Sequence, residues 1–109
     1  MSRKPDYVCY PGDARVRKYG WHKNKFSGYI SLVEDTVWLS AVLSKHEGRG
    51  NLSRLIRELH KKYRIKVPGP FPRMEAICEH LGFRKTTEEF PEVGEPITVY
   101  VLDREDMVL

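Results

Sequence analysis

Two runs, "GYISLV" from Gly28 and "TVWLSAVLS" from Thr36, have the β-branched and aromatic character of strands. Only Glu34 and Asp35 separate them, which predicts a β-hairpin closed by a tight acidic turn. From Asn51 the period lengthens. Leu52, Leu55, Ile56, Leu59 and Tyr63 recur at i, i+3, i+4, i+7 and i+11, the apolar stripe of a helix that Asn51 caps and that stops by about Arg64. Its opposite face carries Arg54, Arg57, Lys61 and Lys62.

"RIKV" then reads as a short strand. "PGPFP" bars helix and most sheet pairing until about Arg73, because proline lacks an amide donor and fixes φ. "RMEAICEHLGF" sets Met74, Ile77, Cys78 and Leu81 on one side of a second helix, with Gly82 at its C-terminal end. "RKTTEEF" and "ITVYVLD" flank "PEVGEP" as a closing hairpin, and a short strand near Tyr7 to Tyr10 precedes everything else. The order predicts a single α/β (α+β) domain with a mixed, mostly antiparallel central sheet and two main helices. It falls into three stretches: a strand and basic-aromatic segment over 1–27, a hairpin and helix over 28–63, and a strand-helix unit with closing hairpin over 64–109.

Composition narrows the class without naming an activity. A chain of 109 residues, 40% hydrophobic and 31% charged, suits one globular domain with one core. No apolar run approaches the ~20 residues of a bilayer span. "MSRKPDYV" has no apolar stretch behind its cations, so a secretory signal is not expected and a cytoplasmic location is. In that compartment Cys9 and Cys78 are expected as free thiols. His22, His46, His60 and His80 lack ligand spacing, so no metal site is expected. The net charge of +4 favours an anionic partner, either nucleic acid or a phosphate-bearing cofactor.

The candidate chemistry lies where the hairpin meets the first helix, in "LSKHEGRGNLSRLI". The opening amides of a helix lack intrahelical acceptors and sit at the positive end of its dipole, a ready site for phosphate oxygens. Gly48 and Gly50 allow positive φ and close approach of a bulky anion to the backbone. Lys45, Arg49 and Arg54 add charge nearby.

Over roughly the last three quarters of the chain these residues resemble the GNAT family of acyl-CoA-dependent N-acyltransferases. Val42 stands at the family's strand valine, Gly48 and Gly50 at two turn glycines, and Arg49 at the basic residue between them. Ser53, Leu55 and Ile56 continue the helix, and "EHLGF" matches the end of the second helix. The resemblance implies an acyl-CoA N-acyltransferase-like fold, shortened at the N-terminus, that moves an acetyl group from acetyl-CoA to an amine acceptor. The coenzyme would lie where the strand ending near Val42 splays from "RIKV". It would be held by Val42, Ser44, Gly48, Arg49, Gly50, Asn51, Leu52 and Ser53, the last six cradling the diphosphate.

Glu47 stands where the family prefers arginine or glutamine, Leu52 replaces a final glycine or alanine, and Phe71 replaces an asparagine. Cys78 occupies the place of the tyrosine that protonates the departing thiolate, and packing is the alternative role for a cysteine on that apolar face. Glu34, His46 and Glu47 are the available acids and bases, none set apart from ordinary surface. The short segment before the hairpin leaves little acceptor wall, which implies a large acceptor or completion of the pocket by a second copy of the chain.

Two other readings stand beside this one. One is a GNAT-fold protein acting through protein contacts, suggested by Glu47, Leu52 and Cys78. The other is a nucleic-acid-binding module, suggested by the segment from Arg15 to Tyr29 and the cationic helix face.

Overall fold

In the computed structural model, which describes residues 5–46 and 48–103, the chain runs β1 (Tyr7–Cys9), a single 3-10 turn (Arg17–Tyr19), β2 (Phe26–Val33), β3 (Thr36–Ser44), α1 (Asn51–His60), β4 (Arg64–Pro68), α2 (Pro72–His80), β5 (Arg84–Glu89) and β6 (Pro96–Leu102). The strands form one mixed sheet in the order β1-β2-β3-β4-β6-β5. Among the described strands only β3 and β4 run parallel, as a helical crossover between them requires. The result is a single α+β domain with two helices.

Local chemistry explains the element ends. Glu34 turns the first hairpin at φ 55, and the Asp6 carboxylate accepts its amide at 2.8 Å. Helix α1 starts differently from the expectation. Gly50, in the left-handed region at φ 74, is the N-cap, and Asn51 is the first helical residue. Glycine enters that region without a Cβ penalty, while the Asn51 amide oxygen accepts from the Arg54 guanidinium at 3.4 Å instead of capping. Pro72 opens α2 one residue earlier than the proline run suggested, in the first-turn position where a missing N–H costs nothing.

Both helices pack on one face of the sheet. Leu55, Ile56 and Leu59 of α1 and Cys78 of α2 meet Val37, Leu39, Ile65, Val67, Tyr100 and Leu102 in one buried cluster. Each large aliphatic side chain buried there contributes about 1.5–3 kcal/mol. Trp21 and Phe26 stack at 5.2 Å within the same cluster, and the indole N–H donates to the Cys9 carbonyl at 3.1 Å. The aromatics of the basic N-terminal segment thus serve the core.

Two constraints fix the sheet. Gly28 pairs with Val42 at φ 97, and a Cβ there would fall 1.6 Å from the Ala41 carbonyl oxygen. At the opposite end, Asp103 accepts from Arg64 Nε at 2.6 Å and from Arg84 Nη2 at 2.9 Å, while its carbonyl accepts from His60 at 2.8 Å. One residue thereby joins the starts of β4 and β5 to the end of α1.

Gly28→Ala is expected to destabilise the domain by at least about 2 kcal/mol through backbone strain plus the clash. An unchanged urea midpoint would contradict the close approach. Asp103 gives a pH signature. The hydrogen bond from Arg84, with those from Arg64, holds its carboxyl below the ordinary value of 3.8 against the opposing effect of burial. Its stabilisation is therefore complete above the unfolded value and lost as pH falls through the folded one. Asp103→Asn should lose ~1–2 kcal/mol at pH 7, modest because both guanidinium groups are about half exposed. The gap between variant and wild-type urea midpoints should close below pH ~4.

Candidate functional site

A cleft opens where β3 leaves β4. Their pairing runs Thr36↔Arg64, Val37↔Ile65, Trp38↔Lys66 and ends there. On the other edge of β3, Tyr29↔Ala41 is followed by Ser31↔Trp38, so β3 carries one extra residue between Trp38 and Ala41. Such a bulge bends a strand and increases its twist. Beyond it, the edge of β3 facing β4 has no partner strand among the described residues. A cavity of about 350 Å³ fills the gap, walled by Leu39 to Leu43 on one side and Val67 to Phe71 on the other. A second, of about 310 Å³, continues to the start of α1 and shares Val42, Leu43, Phe71 and Met74 with the first.

The mouth of this groove is made of backbone. Gly48 and Gly50 both have positive φ, at 83 and 74, and no side chain among the described residues caps α1. The first helical amide to meet an acceptor is that of Arg54, on the Gly50 carbonyl at 3.0 Å. Among the described residues, the amides of Asn51, Leu52 and Ser53 have no acceptor. They sit at the positive end of the helix dipole, beside a cavity in whose walls no carboxylate occurs among the described residues.

Val42, Ser44, Gly48, Gly50, Asn51, Leu52 and Ser53 all line this second cavity. Arg49 is exposed and does not line it. Leu52 both lines the cavity and packs against the core. Lys45 donates from its ammonium to the Lys23 carbonyl at 2.7 Å and does not line the cavity. Glu47 lies outside the described residues. The cation that the sequence reading missed is Arg73, on the first turn of α2, which joins His46 in the wall. Its distance along the chain from the glycine turn concealed it.

Cys78 sits elsewhere. It is fully buried and absent from both cavity walls, where α2 instead presents Met74 and Ile77. Burial, then the nearby carboxylates of Glu75 and Glu79, push its thiol up to about 12. Phe71 is 79% exposed and borders both cavities. Glu34 stays in the hairpin turn, and His46 shares a hydrogen bond with the Asn24 carbonyl at 3.1 Å.

Tyr100 is the unexpected polar group of the interior. Its hydroxyl donates toward Glu75 at 2.9 Å, with Glu79 at 3.3 Å. Burial, followed by these carboxylates, raises the phenol to about 12. A lone tyrosine in the β-branched run "ITVYVL" was its only trace in the sequence.

The fold and site define an α+β domain with a groove between diverging parallel strands and unpaired amides at its mouth. Comparisons with protein-family models, curated proteins and solved structures give no match.

The burial of Cys78 yields a chemical test. At pH 8 a thiol of pKa about 12 is ionised to roughly one part in ten thousand. Cys78 should resist a thiolate-directed reagent in the native protein and label promptly in denaturant, followed by mass spectrometry of the peptide. Prompt native labelling would place the thiol in reach of the groove.

Proposed function

We propose that this groove holds an acyl-coenzyme A and that the domain transfers an acetyl group from acetyl-CoA to an amine, in the manner of the GNAT family it resembles. The observation that carries the reading is the splay of β3 from β4, with the amides of Asn51, Leu52 and Ser53 free at its wider mouth. A diphosphate placed there accepts hydrogen bonds from the helix start, and Arg73 supplies positive charge to the same cavity. The pantetheine arm would then run along the unpaired edge of β3 near Val42, completing in extended form the hydrogen bonding that β4 leaves off. The same backbone edge can polarise a thioester carbonyl, which needs only a well-aimed N–H.

One observation favours a second reading, a coenzyme-binding domain with weak or absent transfer. Among the described residues the cavity walls offer His46 and Arg73 as titratable groups, and the thiol at the family's proton-donor position is buried elsewhere. A leaving thiolate would then take its proton from water or from the acceptor. Both readings share the cofactor site and part on turnover.

Acetyl-CoA at ~100-fold its dissociation constant should stabilise the protein by ~2.7 kcal/mol. For a domain of this size that raises the melting temperature by roughly 10 °C or more. Asn51→Asp places a carboxylate on the first turn of α1, which favours the helix dipole but repels a diphosphate. The variant should keep its unliganded melting temperature and lose most of the shift. No wild-type shift at millimolar acetyl-CoA would remove the cofactor site, whereas a shift without acetylation across a panel of amines would select the second reading.

A further inference from the structure

We propose that the outer face of α1, with the adjoining 3-10 turn, is a docking ridge for the phosphate backbone of duplex nucleic acid. Arg54, Arg57 and Lys61 are exposed at i, i+3 and i+7 on one line of α1, a rise of about 10 Å along the axis. Lys62 stands at the end of that line and Arg17 and Lys18 on the turn beside it, all exposed.

The turn and the helix are joined through Tyr19 and Tyr63, whose rings meet edge to face at 5.9 Å. Lys18 Nζ lies 5.3 Å from the first ring and Lys62 Nζ 5.5 Å from the second. Cation–π attraction thus holds two ammonium groups on one anchored pair of rings.

An ordinary solvated helix face intersperses the two charge signs at i, i+4 spacing. Here the acid on α1 is Glu58, paired with Lys61 at 2.9 Å. Favourable placement near the C-terminal end of the dipole accounts for Arg57 and Lys61. It does not account for Arg54, Arg17 or Lys18. Four carboxylates, Glu88, Glu89, Glu92 and Glu95, collect instead in the β5–β6 hairpin at the far edge of the sheet. The carboxylates next to the ridge are themselves paired, Asp13 with Arg15 and Asp103 with Arg64 and Arg84, so the described side chains of the ridge present net positive charge to a polyanion.

The buried aromatics select the form of nucleic acid. Single strands are held largely by bases stacked on exposed rings. The exposed Tyr7, Tyr10 and Phe71 belong to other elements, and Trp21 and Phe26 are buried. The ridge's own Tyr19 and Tyr63 are half-buried, packed on each other and on the core. What the ridge offers is a row of cations, which suits the regular phosphates of a duplex and carries no sequence preference. The ridge does not use the groove, so it stands whether or not the coenzyme reading does.

Fluorescence anisotropy with a labelled mixed-sequence DNA duplex, titrated between about 50 and 200 mM salt, tests this. The six cations predict a slope of log K against log salt near −5. In Arg57→Gln/Lys61→Gln/Lys62→Gln the slope should flatten by about 3 and low-salt affinity fall by roughly 10- to 100-fold. These side chains are exposed, so circular dichroism should show an unchanged fold. Four results would each overturn the proposal: no duplex binding at low salt, equal binding by the variant, tighter binding of a single strand, or tighter binding of phosphatidylserine vesicles.

Discussion

Everything that distinguishes this domain follows from one extra residue in β3. A strand that pairs with β2 along its whole length and with β4 over only three residues must part from β4 where its register slips. The bulge between Trp38 and Ala41 does that, and the space it opens has backbone on one wall and the proline-rich entry to α2 on the other. Pro68 and Pro70 act with it, because β4 runs out of amide donors just where β3 turns away. Gly28 is the companion constraint, because β2 approaches β3 so closely beside the bulge that only a residue without Cβ fits.

The groove and the core are built from the same elements facing different ways. Helix α1 turns Leu55, Ile56 and Leu59 inward and leaves its first amides at the cleft, so the packing that holds the helix also aims its dipole. Helix α2 splits its apolar face in two. Met74 and Ile77 form a wall of the cavity, while Cys78 goes under the helix to the sheet. Among the described residues the cleft therefore presents backbone groups with Arg73 and His46, while the Cys78 thiol and the Tyr100 phenol lie in the interior.

Periodicity made most of this architecture legible. The stripe from Leu52 to Tyr63 and the acidic break at Glu34 and Asp35 each announced an element, because burial on one face leaves a spacing that no other arrangement shares. The left-handed backbone of the glycine turn was legible for a like reason, since positive φ has few other residues to serve it. Register left no such mark. "TVWLSAVLS" reads as one strand with or without a bulge, so the width of the cleft could not be read from it. Asn51 outranks glycine as a cap by propensity, yet the left-handed turn before it demanded Gly50. Cys78 and Met74 lie on one helical face, and only the sheet beneath decides which of them reaches the cavity. Arg73 joined the glycine turn through folding alone.

The Asp103 clamp gives the parallel pair an asymmetric mechanics. Arg64 at the start of β4 is tied to Asp103, three ladder pairs follow, and then the two strands are unconnected. Past that point each strand answers to its outer neighbour, β3 to β2 and β4 to β6, so the wedge between them is braced from both flanks and a guest must match an aperture already set.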